Sequence, residues 1–287
     1  MKVSVIMPSF NQGEFVERAI ESVLAQEGVD AEIIFVDGGS TDDTMTKVEQ
    51  YRGQLARIIS EPDEGQSDAL GKGFALATGD FLTWLNTDDL LLPGALSDLA
   101  QCSTLNPDCQ WFLGNSLWVD VDDRILDARR GEPYRSIGPR TGLLTAAGPS
   151  AFFSKAAYDA VGGINKSLHY KMDTELWWRF ILAGLPFGRL QHYTWALRLH
   201  AGAKVSGSLF LDRNDPKAIA AARAQANEAM HIKRLIACAQ IGIGDTGRWT
   251  ASKAQRVLSA GFWRSLVEAR RWRGKTVVSV FGSTSLS

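Results

Sequence analysis

The fold is decided by the stretch EIIFVDGGS at residues 32–40, in which an apolar run of strand length ends in the carboxylate of Asp37. The segment FLTWLNTDD at 81–89 has the same form and ends in Asp88 and Asp89. Apolar runs of this length bounded by turn residues indicate buried parallel strands. Because ligands bind beyond the carboxyl ends of such strands, these acids can converge on one ligand.

Adjacent carboxylates raise the question of a metal. Asp88 and Asp89 repel each other unless a cation neutralises them, which favours a divalent metal held by oxygen ligands. The alternative is that the pair only caps a helix expected to begin near Leu92. The matching acid at position 37 favours the metal interpretation.

Strands and helices alternate around these two segments. The pattern predicts strands at 3–7, 33–36, 57–60 and 81–85, and helices at 14–26, after 41–43 and at 68–77. Such alternation is typical of an α/β fold with a mostly parallel sheet flanked by helices. From residue 111 the pattern changes to a hairpin, a strand at 150–154, helices at 155–161 and 173–183, and an Ala-rich helical region from 208 to about 240.

Composition excludes several classes of protein. The 287 residues have a formal net charge of −1, whereas nucleic-acid-binding proteins carry a basic excess, so no nucleic-acid partner is expected. The three cysteines have no metal-ligand spacing and form no even-numbered framework, which favours a reducing, cytoplasmic compartment. No apolar run approaches the roughly 20 residues that cross a bilayer, and the N-terminus does not resemble a signal peptide.

Four blocks of the sequence resemble family 2 glycosyltransferases, in the order in which that family has them: VSVIMPSFNQ at 3–12, EIIFVDGGSTD at 32–42, SEPDEGQSDA at 60–69 and LNTDD at 85–89. The resemblance covers roughly the first two-thirds of the chain. It implies a GT-A fold with a Rossmann-like sheet, a UDP- or dTDP-sugar donor, Mn²⁺ or Mg²⁺, and inversion at the anomeric carbon. It also implies a donor-binding half at 1–110 and an acceptor-binding half at 111–207. Residues 208–287 lie beyond the resemblance, and their pattern predicts a helical extension.

By position, the resemblance implies that residues from all four blocks hold the donor: Pro8, Ser9, Phe10, Asp37, Gln66, Ser67, Asp68, Asn86 and Asp88. The chemistry agrees, since an aromatic ring can pack on a nucleobase and a carboxylate can accept from base N–H groups or ribose hydroxyls. Two alternatives stay open. Phe10 can instead pack on the following helix, and Asp68 can cap its own helix.

The metal ligands follow from the same resemblance. Residues 86–88 occupy the DxD position of the family, with Asn86 where the first Asp often stands. This implies Asp88 as the main ligand and Asp89 as the second candidate. Residues 198–206 resemble the segment that in relatives returns toward the diphosphate. This implies that His200 completes the metal shell or binds a phosphate oxygen, and that Arg198 or Lys204 neutralises the diphosphate. One Asp is enough because diphosphate and water can supply the remaining ligands of Mg²⁺ or Mn²⁺.

The segment MDTELWWR at 172–179 resembles the acceptor-side motif of the family, and its acid matches Asp173. An inverting transfer needs one general base beside the acceptor hydroxyl, and the resemblance gives that role to Asp173. The helix dipole there stabilises the anion and slightly weakens it as a base. Without the upstream blocks, a first-turn acid with no catalytic role would be the simpler interpretation. The implied acceptor is a saccharide or a lipid-linked molecule.

Other interpretations concern the tail and the activity. The basic, aromatic segment 248–275 fits contact with the inner face of an anionic membrane, a solvated surface or a homodimer contact. A nucleotidyltransferase that makes nucleotide sugars would need a basic loop after the first strand, and residues 8–13 contain no Lys or Arg. A catalytically inactive nucleotide-sugar-binding scaffold is favoured only by Asn86.

Overall fold

The computed structural model describes residues 1–131, 148–204, 216–238 and 267–281. Its strands are β1 (Lys2–Ser9), β2 (Asp30–Asp37), β3 (Arg57–Ser60), β4 (Phe81–Trp84), β5 (Leu90–Leu91), β6 (Trp111–Val119), β7 (Ile125–Arg129), β8 (Ala151–Ser154) and β9 (Phe187–Arg198). Its helices are α1 (Val16–Leu24), α2 (Thr44–Glu49), α3 (Gln66–Leu76), α4 (Ala95–Leu105), α5 (Lys155–Ala160), α6 (Met172–Leu182), α7 (Pro216–Cys238) and α8 (Val277–Phe281), with a further helical stretch at 267–272.

The first four strands form a parallel sheet in the order β3-β2-β1-β4. Ser9 pairs with Asp37, and Asp37 pairs with Ser60, so three strands end at the same level. These strands are apolar because helices cover both faces of the sheet. The predicted α/β architecture is therefore confirmed, and this end of the sheet provides a platform for a ligand.

The second half of the sheet is mixed. Strand β8 pairs antiparallel with both β4 and β6, while β9 runs parallel to β6 and antiparallel to β5. The predicted hairpin after residue 111 is present as β6 and β7. The sequence pattern did not predict β9, whose first half is partly exposed and whose second half is buried. This strand ends at Arg198, beside the carboxyl end of the parallel strands.

Most of the core lies in two apolar layers on opposite faces of the sheet, and a third cluster packs β6, β7 and β9 against the 267–281 segment. Successive residues of a strand point to opposite faces, so Ile6 packs with α3 and α6 while Val5 and Met7 pack with α1 and α4. In the first layer Trp177 stacks between Trp84 and Trp111, with ring centroids 5.7 and 5.8 Å apart. Helix α6 is thereby fixed to the sheet by its buried indole.

The C-terminal region contacts the core at two places. Ile232 of α7 is buried in the first apolar layer. In the 267–281 segment, Trp272 and Phe281 pack on Tyr193 of β9. The predicted helix from 208 to about 240 is described at 216–238, and residues 248–266 of the basic tail lie outside the described residues.

Candidate functional site

A cavity of about 440 Å³ lies at the carboxyl ends of the parallel strands. Its lining residues come from the loops after β1, β2, β3 and β4 and from the segment after β9: Pro8, Ser9, Phe10, Gln12, Gly38, Asp63, Gly65, Gln66, Ala69, Asn86, Thr87, Asp88, Gly202 and Lys204. Six of the nine predicted donor-binding residues are in this set. The fold therefore places the predicted blocks around one space.

The loop after β1 is held rigidly against the loop after β2. Asn11 has a φ of 51°, a left-handed conformation that Asn tolerates better than most residues. Its backbone N–H donates to Ser40 Oγ at 2.7 Å, and its side chain accepts from the N–H of Thr41 at 2.8 Å. Phe10 is thereby presented at the cavity edge with 57% of its surface exposed. This exposure favours a ligand contact for Phe10 over packing on α1.

Asp37 lies behind the cavity wall rather than in its lining. Its buried carboxylate accepts from the backbone N–H groups of Gly39 and Ser40 at 3.1 and 3.0 Å, from Ser60 Oγ at 2.8 Å and from Ser40 Oγ. These bonds fix the turn that contains Gly38, which does line the cavity. In this structure Asp37 shapes the wall, and its direct contact with a base or ribose stays a prediction.

The first turn of α3 separates the three predicted residues Gln66, Ser67 and Asp68. Gln66 faces the cavity and donates from Nε2 to Asn86 Oδ1 at 2.6 Å. Ser67 is buried and donates to the carbonyl of Leu168. Asp68 pairs with Lys166 at 2.9 Å, and this ammonium group lowers the pKa of the Asp68 carboxyl. Only Gln66 of the three is therefore placed to touch a ligand in the cavity.

Asp88, which lines the cavity, pairs with His200, which lies outside the lining; both are predicted metal ligands. The Oδ2 atom of Asp88 lies 3.1 Å from Nε2 of His200, and both side chains are largely buried. The His200 ring is also supported by Phe15 of α1, at a centroid distance of 4.7 Å. A carboxylate from the loop after β4 and an imidazole from the segment after β9 thus meet at one point.

Asp89 faces away from this pair. It is 1% exposed, and its carboxylate accepts from the backbone N–H of Arg198 at 2.9 Å and from Asn86 Nδ2 at 3.0 Å. Burial and the neighbouring Asp88 carboxylate raise the pKa of Asp89 well above its usual range. Asp89 holds the turn that presents Asp88, and its role as a second metal ligand stays a prediction.

Arg198 also stabilises the turn that contains Asp88. Its fully buried guanidinium donates from Nε to the carbonyl of Asp88 at 2.8 Å and pairs with the carboxylate of Asp123. Arg18 of α1 pairs with the same Asp123 carboxylate. A buried arginine needs such compensation, because an isolated charge is strongly disfavoured in the interior. Arg198 therefore supports the Asp88 turn and does not face the cavity.

The Asp88–His200 pair fits a divalent cation as two of its ligands. Both atoms are of the kinds that Mn²⁺ accepts, and a diphosphate in the cavity would supply further oxygens. Across the described residues, no group of three or more His, Cys, Asp or Glu side chains is arranged to hold a metal ion by itself. The arrangement thus suits a cation that binds together with a diphosphate ligand.

Asp173 lies outside the lining of the cavity, in the first turn of α6. Its Oδ2 accepts from the N–H of Gly148 at 3.0 Å, and its Oδ1 accepts from the N–H of Thr174 at 2.6 Å. Gly148 is also close to Trp84 at the end of β4. The acid therefore occupies the neighbouring side of the same sheet end.

Lys204 lies between the cavity and the first turn of α6, which carries Asp173. It lines the cavity and donates from Nζ to Gln66 Oε1 at 3.3 Å, while the same Nζ lies 5.3 Å from the ring centre of Tyr170. Desolvation of the ammonium lowers the pKa of Lys204 below its usual range, and the carboxylates of Glu228 and Asp173 partly oppose this shift. An ammonium group in this position can bind a ligand in the cavity and can also attract the carboxylates of Glu228 and Asp173.

Several lining residues were not singled out from the sequence. Asp63 accepts from the N–H of Gly65 at 2.7 Å, and a Cβ at Gly38 would lie 2.6 Å from its Oδ2. Asp63 stands in the block 60–69, so the resemblance contained a signal for it. Thr87, which donates to Ser9 Oγ at 3.0 Å, lies inside the block 85–89. Gly202 belongs to no block, and only the path of the chain after β9 brings it here.

Comparisons with known proteins agree with this geometry. The model of glycosyl transferase family 2 matches residues 4–159. The chain is 39% identical over 104 residues to the GalNAc(5)-diNAcBac-PP-undecaprenol beta-1,3-glucosyltransferase of Campylobacter jejuni, which is 35% of this chain and 34% of that protein. The chain thus spans about a third of the length of this curated relative.

Two solved structures show the same fold. Staphylococcus aureus TarS 1–349 in complex with UDP-GlcNAc superposes with a TM-score of 0.63 at 17% identity, covering 98% of this chain and 84% of that one. Glucosyl-3-phosphoglycerate synthase from Mycobacterium tuberculosis, in complex with Mn²⁺ and UDP-glucose, gives 0.51 at 19% identity, covering 86% and 81%. These likenesses confirm the expected GT-A fold.

Proposed function

We propose that this chain, which belongs to glycosyl transferase family 2, transfers a sugar from a nucleotide diphosphate to an acceptor hydroxyl with inversion. The observation that carries the proposal is the Asp88–His200 pair, 3.1 Å apart, at the end of a cavity of about 440 Å³. A carboxylate and an imidazole beside a nucleotide-sized space are suited to a cation–diphosphate ligand. In this proposal residues 1–110 bind the donor, residues 111–207 bind the acceptor and residues 208–287 form a helical extension.

In the proposed reaction Asp173 accepts the proton of the acceptor hydroxyl. The hydroxyl oxygen then forms a bond to the anomeric carbon while the bond to the diphosphate breaks, and the diphosphate leaves with the electron pair. Asp88 and His200 would hold Mn²⁺ or Mg²⁺, which supplies Lewis-acid stabilisation of the leaving group when bound. Lys204 lines the cavity and can neutralise part of the same charge.

A uridine or thymidine nucleotide is the donor that we propose. TarS was crystallised with UDP-GlcNAc and the mycobacterial synthase with UDP-glucose, and both share the fold of this chain. Phe10 offers an exposed ring against which a base can stack, and Asp63 offers a carboxylate for base or ribose donors.

A saccharide or lipid-linked acceptor, used in cell-envelope polysaccharide or glycolipid assembly at the cytoplasmic face of a membrane, completes the proposal. The Campylobacter relative is named for an undecaprenol-linked substrate. Four exposed cations lie close in sequence in the last described segment: Arg270, Arg271, Arg273 and Lys275. Such a patch can attract anionic lipid headgroups. Among the described helices, none has the length and apolar character that a membrane span requires. A homodimer stays a prediction.

A thermal-shift screen tests the donor proposal directly. UDP, dTDP and GDP are compared with and without Mn²⁺, and a ligand at 100 times its Kd should stabilise the folded state by about 2.7 kcal/mol. We expect UDP or dTDP to raise Tm in a Mn²⁺-dependent way, and slow Mn²⁺-dependent hydrolysis of the matching nucleotide sugar. If no nucleotide raises Tm and no nucleotide sugar is hydrolysed, the proposal fails.

A further inference from the structure

Helix α7 of the C-terminal extension places one buried acid against the loop that precedes α6. The Glu228 carboxylate accepts from three consecutive backbone N–H groups: Oε1 from His169 at 2.8 Å, and Oε2 from Tyr170 at 2.9 Å and Lys171 at 2.7 Å. Glu228 is 9% exposed, so these bonds are shielded from water. The loop 169–171 is thus held by a residue almost 60 positions away in the sequence.

The chemistry of this contact requires a carboxylate. Three N–H donors converge on two acceptor oxygens, and hydrogen bonds to an ionised acceptor are about twice as strong as neutral ones. The amide of a glutamine has the same shape but offers one oxygen, and its NH₂ group would face N–H donors. The negative charge also lies at the positive end of the α6 dipole.

Helix α7 is firmly fixed where it carries this acid. Ile232, four residues after Glu228, is 6% exposed and belongs to the same apolar layer as the buried face of α6. Leu235 packs against that layer as well. One face of α7 therefore presents an acid and two apolar anchors to the acceptor side of the molecule.

The loop 169–171 carries or borders groups on both sides of the candidate site. An ideal Cβ on Gly65, in the cavity wall, would lie 3.3 Å from Nδ1 of His169. Tyr170 packs beneath the ammonium of Lys204. The first turn of α6, with Asp173, follows directly. A shift of this loop would move the acid and the lysine relative to the cavity.

We infer that Glu228 is a positioning residue, which holds the loop 169–171 and thereby sets Asp173 and Lys204 in place for sugar transfer. The inference rests on the proposed function for its catalytic consequence, but not for the contact itself. It makes α7 a structural part of the active site, so the acceptor half would depend on the extension at 208–287. Misplacement of a reacting group by about 1 Å can reduce a rate by about 100-fold.

The test uses the full chain with Glu228→Gln, Glu228→Asp and the control Asn227→Ala, an exposed neighbour on the same helix. Hydrogen–deuterium exchange is measured on the amides of residues 169–171, with no nucleotide present. In parallel, kcat and KM are measured for Mn²⁺-dependent hydrolysis of UDP-glucose and UDP-GlcNAc, with UDP affinity measured by calorimetry.

We expect Glu228→Gln to speed exchange of the three amides at least about tenfold and to lower kcat by about 10- to 100-fold, with KM and UDP affinity changed less than about twofold. Glu228→Asp, which keeps the charge, should recover part of both effects, and the Asn227 variant should match the wild type. If Glu228 had only a structural role, its replacement would lower Tm and the fraction of active enzyme. It would not lower kcat selectively while KM and UDP affinity stay nearly constant.

Unchanged exchange in Glu228→Gln overturns the inference whatever the activity, and so does faster exchange with unchanged kcat. If Glu228→Gln does not fold, the same two criteria are applied to Glu228→Asp. A wild type that binds no nucleotide fails the proposed function, while the exchange result still decides whether Glu228 holds the loop.

Discussion

The proposed donor side and the proposed acceptor side of the candidate site are built in different ways. The donor cavity is lined mostly by residues between positions 8 and 88, in loops that directly follow parallel strands. The acceptor side joins Gly148, Asp173 and Glu228, which come from three separate parts of the chain. The carboxyl ends of parallel strands bring their loops together around one crevice, whereas the proposed acceptor side depends on contacts between distant parts of the chain.

The largest expected effect concerns Asp173. Replacing it by Asn removes the proton acceptor but keeps the hydrogen-bonding shape, so transfer should fall by about 10²–10⁴-fold while nucleotide binding stays nearly intact. Steady-state kinetics and calorimetry with UDP and Mn²⁺ measure the two quantities. Asp159→Asn, an exposed acid on α5, is the matched control. Retained turnover in the Asp173 variant would remove this acid from the mechanism and end the division of roles between the two sides.

A second test removes a proposed cation ligand on the donor side and leaves Asp173 and its contacts unchanged. Asp88→Ala removes one of the two proposed cation ligands, so UDP affinity in the presence of Mn²⁺ should fall at least about tenfold, or about 1.4 kcal/mol. Affinity without Mn²⁺ should change much less. Titration calorimetry under both conditions is the measurement, with Asp122→Ala as an exposed control. Equal Mn²⁺-dependent affinity in the variant and the wild type would contradict a metal role for Asp88.

Phe10 tests ligand binding separately from stability. Its ring is 57% exposed at the cavity edge, so it contributes little to the packing of the core. Phe10→Ala should weaken nucleotide binding by about 1–3 kcal/mol, the range measured for stacking of a base on an aromatic ring. Thermal stability should stay close to that of the wild type. A large loss of Tm with unchanged UDP affinity would instead assign the ring to the packing of α1.

Glu32 lies near the amino ends of the same parallel strands, where no ligand is expected. Its replacement therefore tests the stability of the sheet separately from ligand binding. Burial opposes its ionisation, but bonds from Lys2, Ser4 and Thr78 outweigh this and lower its pKa to about 2. The ionised form therefore stabilises the folded state above a pH of about 4.5, and this contribution disappears as the pH falls towards 2.

Glu32→Gln should accordingly reduce the free energy of unfolding by about 1–2 kcal/mol at pH 7 and by less at pH 3. Urea unfolding at both pH values measures the difference. UDP affinity should not change, because Glu32 lies at the amino end of the strands. A loss of nucleotide affinity, or a larger difference at pH 3, would show that the strand frame and the donor site are not separable in this way.

Six of the fourteen residues that line the cavity were predicted from the sequence to bind the donor. Apolar runs that end in Asp37 and in Asn86–Asp89 located the strand ends, and the family resemblance added Phe10 and Gln66. The same reasoning did not show that Ser67 and Asp68 turn away, because the direction of a side chain in the first turn of a helix depends on its tertiary partners. Those partners are Leu168 and Lys166, about 100 positions away.

The acceptor side was less accessible to sequence reasoning. Asp173 was predicted only through its motif, its catalytic role stays a prediction, and its contact with Gly148 was not predicted. The strand β9 was missed because half of it is exposed and it lacks a regular apolar pattern. Glu228 gave no signal, since an acid in an Ala-rich helix is ordinarily a solvated surface residue.

By itself, the sequence determined the α/β architecture, the parallel pairing expected of the first strands and the identity of the loops that meet at their carboxyl ends. Local hydrophobic pattern and turn chemistry suffice for this, because they act over neighbouring residues. Only the tertiary structure decided which carboxylates are free to act. Asp37 accepts hydrogen bonds from its own turn and from Ser60, and Asp89 accepts from Asn86 and from the backbone N–H of Arg198, 109 positions away. Asp88 instead meets His200 across 112 positions. Burial and partner geometry of this kind are not encoded in any single segment.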